Sequence, residues 1–176
     1  MTVPAAPARV HVVTVSDRCA SGEAEDRSGP LAASLLTDAG FAVTRSVVPD
    51  GAASVTAAIR AALDDGARAV VTTGGTGVTP RDQTPEGTRP VLVAELPGIP
   101  EELRRRGAAT VTTAVLSRGL AGIAQSDTGA ASDGGAPRRA VVVNLPGSTG
   151  GVRDGVGLLL SLLPHLIDQL DGGDHA

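Results

Sequence analysis

The glycine- and threonine-rich segment Thr72–Gly77 is the part of the sequence best suited to bind a phosphate group. It reads TTGGTG, so glycine fills three of its last four positions. Glycine accepts left-handed backbone angles and lets backbone N–H groups approach an anion. The spacing is not the dinucleotide fingerprint, and the chain has no lysine to complete a P-loop. We expect backbone N–H groups, threonine, arginine or a metal ion to hold phosphate here, although a tight structural turn explains the glycines equally well.

Asp50 and Asp82 are the acidic residues that could act beside this loop. Asp50 follows Val48-Pro49, and Asp82 follows Arg81. Asp50 alone is explained as a turn residue before Gly51. The helix entry at Thr84-Pro85-Glu86 does not account for Asp82, although a structural role is favoured for each aspartate taken alone. Two carboxylates at neighbouring strand ends, beside an anion-binding loop, would instead suit Mg²⁺, which takes oxygen ligands and is shared with substrate phosphates.

Two further polar segments could belong to the same site. Ser16-Asp17-Arg18 ends the first apolar run, and a site residue and a solvated turn explain it equally well. Asn144–Ser148 (NLPGS) places glycine and serine just before the last predicted helix, where a helix N-terminus favours an anion.

Hydrophobic periodicity predicts the elements that must position these residues. Buried strands are predicted at four apolar runs, which are Val10–Val15, Phe41–Val48, Ala69–Thr73 and Ala140–Asn144. Helices are predicted at five places, which are Pro30–Ala39, Val55–Leu63, Glu86–Glu95, Glu101–Arg106 and Val156–Leu170, the last with a kink at Pro164. Thr110–Ile123 fits either helix or strand, and Gln125–Arg139 is predicted to be a flexible surface loop.

This element order predicts one three-layer α/β domain with a mostly parallel sheet over residues 10–171, between tails at 1–9 and 172–176. In open parallel sheets, ligands bind beyond the carboxyl ends of the strands. All of the candidate segments follow predicted strands, so we expect them to converge on one rim. That convergence indicates a site more strongly than any single motif does.

The composition excludes several classes of function. The 176 residues carry a formal net charge of −4 and include one cysteine, one Phe, and no Trp or Tyr. A disulfide scaffold and a four-thiolate metal site are therefore excluded, and no aromatic platform or positive field favours nucleic acid or anionic membranes. The sequence contains no apolar run of the ~18 residues needed for a membrane span, and no signal peptide at its start. We therefore expect a cytoplasmic protein.

Six motifs occur in an order that matches a known family. They are V-T-V-S-D-R with E-D-R-S-G-P (Glu25–Pro30), V-V-P-D (Val47–Asp50), T-T-G-G-T-G-V-T-P-R-D-Q-T-P-E (Thr72–Glu86), L-P-G-I-P-E-E-L-R (Leu96–Arg104), L-S-R (Leu116–Arg118) and N-L-P-G-S (Asn144–Ser148). Together they resemble the molybdenum cofactor biosynthesis proteins of the MogA/MoaB type, the molybdopterin adenylyltransferases. The resemblance covers about Val10 to Leu170.

The resemblance implies a fold, an assembly and a reaction. Proteins of this type form trimers or dimers of trimers. The terminal phosphate of molybdopterin attacks the α-phosphorus of Mg-ATP, which gives adenylylated molybdopterin and pyrophosphate. The product then serves a molybdenum-insertion protein.

The resemblance also implies roles for individual residues. Asp50 and Asp82 would be two essential acids near the metal and the triphosphate. The substrate-binding residues would be Ser16, Asp17, Thr73, Gly74, Gly75, Thr76, Gly77, Arg81, Asn144, Pro146, Gly147 and Ser148.

Two features depart from the family pattern: Gly51 stands where a polar or acidic residue is expected, and Gln125–Arg139 is longer than the usual turn. Retention of both acids favours an enzyme. A non-catalytic pterin-binding or scaffold protein of the same fold and an unrelated nucleotide-binding protein are the alternatives.

Overall fold

Six strands form a single mixed sheet in the computed structural model, which describes residues 7–126 and 138–172. The strands are β1 (Arg9–Val15), β2 (Ala42–Val48), β3 (Ala69–Thr73), β4 (Leu92–Glu95), β5 (Ala121–Gln125) and β6 (Arg139–Leu145). Their spatial order is β2-β1-β3-β6-β5-β4. The first four strands of that order are mutually parallel, whereas β5 and β4 run antiparallel to their neighbours.

Helices cover both faces of this sheet. They are α1 (Asp17–Ala20), α2 (Ser28–Asp38), α3 (Ala52–Asp64), α4 (Thr84–Thr88), α5 (Gly98–Ala108) and α6 (Thr149–Leu170), with 3-10 turns at Arg89–Val91 and Thr112–Leu116. Val12 of β1 packs with residues of α2 and α6, whereas Val13 packs with residues of α3. Successive strand residues point to opposite faces, so an apolar run buries both sides of the sheet. The three-layer α/β prediction is confirmed.

Four predicted strands and most of the predicted helices are present, with shifted ends. The prediction of a helix over Glu86–Glu95 is wrong, because α4 ends at Thr88 and Leu92–Glu95 forms the edge strand β4. Pro90 explains the break, since its ring removes a backbone donor and disfavours helical angles in the residue before it.

The remaining segments resolve as follows. The ambiguous segment Thr110–Ile123 contains a 3-10 turn and the start of β5. The helix predicted at Glu101–Arg106 is present as the middle of the longer helix α5. Helix α6 runs without interruption through Pro164. Gln125 pairs with Arg139 as strand residues, so the predicted loop is shorter at both ends, and residues 127–137 lie outside the described residues.

Helix α6 is the longest helix of the described chain, with 22 residues. Among the residues described, no helix combines the length and the apolar character that crossing a membrane requires.

Candidate functional site

The carboxyl ends of the four parallel strands lie at one edge of the sheet, here called the rim. In the strand register, Val15 pairs with Val48, and Thr73 pairs with both Thr14 and Leu145. The chain therefore leaves β1, β2, β3 and β6 at nearly the same level. The predicted convergence of the candidate segments on one rim is confirmed.

Asp17 and Asp50 hold each other at the ends of β1 and β2. The backbone N–H of Asp17 donates to the Asp50 carboxylate at 3.0 Å, and the N–H of Asp50 donates to Asp17 at 3.0 Å. Ser16 caps α1, with its Oγ accepting the Cys19 N–H at 3.3 Å. No other described residue donates a hydrogen bond to Asp50, so one of its carboxylate oxygens remains open to a ligand.

Asp82 lies in the loop between β3 and α4, where it closes a turn with Thr79. Its Oδ2 accepts the Thr79 N–H at 2.9 Å and the Thr79 hydroxyl at 2.7 Å. The next residue, Gln83, accepts the N–H of Ala52 at 3.2 Å. Since Ala52 follows Asp50 by two residues, the two predicted acids lie on directly adjoining loops.

Arg81 supplies a positive charge beside Asp17 at the rim. Its Nη1 lies 3.9 Å from Asp17 Oδ2, and 76% of its side chain is exposed. An exposed ion pair of this length is weak, so Arg81 is free to turn towards an arriving anion.

The backbone of the glycine-rich segment takes conformations that only glycine accepts easily. Gly74 has a φ of +97° and Gly75 a φ of +63°. A Cβ on Gly74 would lie 2.4 Å from the backbone oxygen of Val15. The loop is held from the other side by Thr84, whose hydroxyl donates to Gly74 O at 2.9 Å. The close packing at Gly74 explains why a glycine stands at this position.

Four consecutive N–H groups of this loop remain open. Those of Gly75, Thr76, Gly77 and Val78 donate no hydrogen bond to any residue in the described part of the chain. Successive free N–H groups around left-handed glycines form a concave anion-binding site. We call the segment 75–78 the anion loop.

The turn from β6 to α6 packs directly against this region. Gly74 donates its N–H to Leu145 O at 3.1 Å, and a Cβ on Gly147 would lie 3.2 Å from the Cα of Gly74. Ser148 caps α6 by accepting the Gly151 N–H at 3.1 Å. The positive end of α6 therefore lies at the rim beside the anion loop.

Thr73 and Asn144, two predicted substrate-binding residues, have buried side chains that are already hydrogen bonded. The Thr73 hydroxyl bonds to Ser28 Oγ at 2.9 Å. Asn144 donates to the hydroxyls of Thr72 and Thr88 at 3.0 and 2.9 Å and accepts the Leu120 N–H at 3.0 Å. In this structure both side chains therefore point into the protein, where their hydrogen bonds stabilise the strand ends that form the rim.

Asp26 is a buried charge at the rim to which the sequence reasoning assigned no role. Its side chain is 13% exposed and accepts hydrogen bonds from the Thr14 hydroxyl at 2.7 Å and the Gly29 N–H at 2.9 Å. It also accepts from Ser28, which bonds to Thr73. The signal was present in the motif E-D-R-S-G-P, where an aspartate three residues before a helical glycine is a capping pattern.

Arg118 is the second residue without an assigned role, although its motif L-S-R was part of the resemblance. It lines an open cavity of about 390 Å³ together with Asp82, Gln83 and Glu86. The hydrogen bond that Arg118 donates to Glu86 lowers the pKa of that carboxyl group, which keeps it ionised.

The oxygen ligands at the rim suit a magnesium ion that is bound by two carboxylates and shared with the substrate. Within the described ranges, no three His, Cys, Asp or Glu residues cluster closely enough to form a metal cage. Asp50 and Asp82 nevertheless present carboxylate oxygens on adjoining loops. Mg²⁺ is commonly bound by one or two carboxylates, with water and substrate phosphates completing its shell.

The fold and the rim define a class of protein: a three-layer α/β domain whose polar loops meet at the carboxyl edge of its parallel strands, the edge at which ligands bind in open α/β sheets. Residues 11–165 match the family described as "Probable molybdopterin binding domain". The chain belongs to this family, and within it to the MogA/MoaB type of molybdenum cofactor biosynthesis protein. The resemblance drawn from the six motifs is thereby confirmed.

Individual relatives support this assignment. A molybdopterin adenylyltransferase from Pyrococcus furiosus is 40% identical over 157 residues, which cover 89% of this chain and 87% of the relative. The crystal structure of a molybdopterin biosynthesis protein from Mycobacterium abscessus is 44% identical, covers 94% of this chain and 97% of that chain, and has a TM-score of 0.82.

A longer relative matches as well. The molybdenum cofactor biosynthesis bifunctional protein from Synechococcus elongatus is 41% identical over 165 residues, which cover 93% of this chain. The chain spans only 48% of that protein's length.

Proposed function

We propose that this protein is a molybdopterin adenylyltransferase that uses Mg-ATP. The terminal phosphate of molybdopterin attacks the α-phosphorus of ATP, the bond to the β-phosphate breaks, and adenylylated molybdopterin and pyrophosphate are formed. The observation that carries the proposal is the pair of adjoining acidic loops beside an anion loop with four open N–H groups. The names of the similar proteins agree with it.

This reaction asks little covalent chemistry of the protein. Transfer between phosphates depends mainly on positioning and on neutralising negative charge. The attacking oxygen belongs to the substrate, so no serine or cysteine nucleophile is needed. The absence of lysine is also no obstacle, because backbone N–H groups, arginine and a divalent metal ion can together neutralise a triphosphate.

The residues at the rim divide this work. The anion loop and the N-terminus of α6 would bind phosphate oxygens. Asp50 and Asp82 would hold Mg²⁺ with water and substrate phosphates, and the ion supplies positive charge to the triphosphate. Arg81 would leave Asp17 to contact the bound anion. The buried bonds of Thr73 and Asn144 keep the loop in place while the ligands come and go.

The experiment is a direct assay of product. The protein is incubated with molybdopterin, ATP and MgCl₂, and adenylylated molybdopterin and pyrophosphate are measured. Formation of both in equal amounts supports the proposal. Failure to form them while both ligands bind contradicts it, and binding of molybdopterin without any binding of Mg-ATP would favour the non-catalytic pterin-binding alternative.

Asp82→Asn tests the assigned acid. We expect turnover to fall at least about 100-fold, which corresponds to about 2.7 kcal/mol of transition-state stabilisation, because the amide keeps the shape but loses the charge. Molybdopterin binding should change little. Asp38→Asn, at the exposed end of α2, removes the same charge away from the rim and should leave the rate unchanged. A wild-type rate for Asp82→Asn would show that Asp82 has no such role.

We further propose, from the family resemblance, that the protein forms a homotrimer or a hexamer and passes its product to a molybdenum-insertion protein. Light scattering coupled to size-exclusion chromatography tests the assembly. A mass of three or six times the chain mass of 17.4 kDa is expected, and a monomer would contradict it.

A further inference from the structure

Arg118 contacts three points of the segment that carries the anion loop and Asp82, and a fourth point in the following helix α4. Its backbone N–H donates to Thr76 O at 2.8 Å, and its Nε donates to Gly77 O at 2.7 Å. Its guanidinium also donates to the backbone oxygen of Asp82 and to the carboxylate of Glu86. One residue, located between the Thr112–Leu116 turn and β5, therefore contacts both ends of the segment.

That segment has little regular structure of its own. Residues 74–83 form neither helix nor strand. The hydrogen bonds within this segment are confined to one turn, in which Thr79 bonds to Asp82 and the Gln83 side chain donates to Pro80 O. A loop of this kind would sample many conformations unless outside contacts restrict it. Thr84 restricts the first residues of the segment through the oxygens of Gly74 and Gly75, and the three backbone oxygens held by Arg118 restrict the rest.

Holding these carbonyl groups also orients the open N–H groups. A trans peptide group is planar, and its C=O and N–H point in opposite directions. The backbone N–H of Arg118 holds Thr76 O, so the N–H of Gly77 points away from the Arg118 backbone. The guanidinium holds Gly77 O, so the N–H of Val78 points away from the guanidinium. These are two of the four N–H groups without an acceptor among the described residues.

Asp82 is linked to the same device. A Cβ on Gly77 would lie 2.8 Å from Asp82 Oδ2, so the Asp82 carboxylate lies directly beside the Gly77 backbone. The guanidinium of Arg118 holds both Gly77 O and the backbone oxygen of Asp82, and so fixes the two residues relative to each other. We propose that Arg118 is a positioning residue that aims the N–H groups of the anion loop and the carboxylate of Asp82 at the phosphates of the substrate. This inference rests on the proposed function for the identity of that substrate.

The geometry of arginine, and not its charge alone, is required for this role. Arginine presents five N–H donors in a planar fork, whereas lysine presents a single ammonium group. A lysine at this position could hold one or two of the acceptors but not all of them. The charge itself faces Glu86, and the exposed side chains of this pair, at 37% and 48%, make their ion pair a minor contribution.

The test compares Arg118→Met, Arg118→Lys and Glu86→Gln with the wild type. Kinetics give kcat and KM for Mg-ATP, and calorimetry gives separate dissociation constants for Mg-ATP and for molybdopterin. We expect Arg118→Met to weaken binding of at least one of these ligands tenfold or more, with a matching rise in KM, and the ligand affected identifies whose phosphate the loop holds. Arg118→Lys should recover only a small part of this loss. Glu86→Gln should stay within about threefold of the wild type.

Arg89→Met is the matched control. Arg89 is also an exposed arginine paired with a glutamate, Glu95, but among the described residues it makes no hydrogen bond to the anion loop. Its variant should bind and turn over as the wild type does. Full activity in Arg118→Lys would show that charge suffices and would overturn the proposal. So would an Arg118→Met variant with lower kcat but unchanged KM and dissociation constants, because that is the result of a smaller folded fraction.

Hydrogen exchange separates this inference from the proposed function. In Arg118→Met, or in Arg118→Lys if the former does not fold, the hydrogen-bonded N–H groups of Thr79 and Asp82 should exchange faster, while peptides from β1 and α6 remain as in the wild type. If the wild type forms no adenylylated product, the proposed function fails, yet this measurement still decides the positioning role. Unchanged exchange in the loop would overturn it.

Discussion

Replacement of the amide of Asn144 by a carboxyl group tests how the buried layer supports the rim. Asn144 is 2% exposed, and its amide nitrogen donates to Thr72 and Thr88 at 3.0 and 2.9 Å. Thr88 uses its own hydroxyl proton on Thr84 O at 2.8 Å. In Asn144→Asp, the new oxygen would therefore face lone pairs of Thr88 where a donor used to be.

The expected loss of stability follows from these contacts. The buried hydrogen bond to Thr88 is lost, at about 1 kcal/mol, and the new oxygen is left against the lone pairs of that hydroxyl. Thr72 can rotate its hydroxyl to donate to the new oxygen, but the buried carboxylate adds a desolvation cost of several kcal/mol. We expect the free energy of unfolding at pH 8 to fall by about 3 kcal/mol or more, and the melting temperature by about 6–12 °C for a chain of this size.

The loss should depend on pH in a defined direction. Burial disfavours the charged form, so the introduced carboxyl has a higher pKa in the folded state than its value of about 3.9 in the unfolded chain. The variant is therefore closest to wild-type stability at low pH. Its deficit grows by about 1.4 kcal/mol per pH unit between the unfolded and the folded pKa, and is constant above the latter.

Urea unfolding of both proteins at pH 5 and pH 8 measures the effect. Ser34→Asp, at an exposed position of α2, adds the same charge and should change stability by less than about 0.5 kcal/mol. Wild-type stability of Asn144→Asp at pH 8 would refute the reasoning. A deficit that shrinks as the pH rises would refute it as well.

Two further predictions concern Gly74 and His11. Gly74→Ala should lower the free energy of unfolding by about 2 kcal/mol or more, because its φ is +97° and the new Cβ would meet Val15 O at 2.4 Å. Gly157→Ala, in α6 with no atom within 4 Å of the new Cβ, should raise it by about 0.5–1 kcal/mol in the same urea titration; equal effects would contradict the argument. Burial lowers the pKa of His11, against a smaller opposing effect of Asp65, so the stability that its neutral ring contributes is present above about pH 6.5 and is lost as the pH falls. Between pH 7 and pH 5, the free energy of unfolding should thus fall more for the wild type than for His11→Gln. A proton NMR titration of the His11 ring should give a pKa below 6.5.

The parallel strands could be predicted because each buried strand is a short apolar run that is visible in the sequence itself. A strand covered by helices on both faces is apolar at most positions, and Val10–Val15 and Ala69–Thr73 follow this pattern, with valine or alanine at most positions and only His or Thr at the others. Edge strand β4 could not be predicted in the same manner. Leu92-Val93-Ala94-Glu95 suits a helix or a strand equally, and its state is decided by pairing with β5, where Leu92 lies opposite Ala124.

The position of the rim could be predicted, but the direction of its side chains could not. Sequence places Thr73 and Asn144 at strand ends, where a ligand-binding residue and a buried bracing residue look alike. Only the packed structure shows that both side chains bond inwards. Arg118 escaped assignment for a related reason, since its contacts with Gly77 and Glu86 span 41 and 32 residues of sequence.

Gly51 shows how a departure from the family pattern can be explained by backbone geometry. Its φ of +125° is one that other residues rarely adopt, and as the N-cap of α3 it offers no side-chain acceptor to the helix. The N–H of Ala52 is satisfied instead by Gln83, one residue after Asp82. A polar residue at position 51 would cap the N–H groups of the second or third residue of α3 and would leave that of Ala52 to Gln83. The bond between Ala52 and Gln83 therefore joins the first turn of α3 to the loop that carries Asp82, and it keeps that loop beside Asp50.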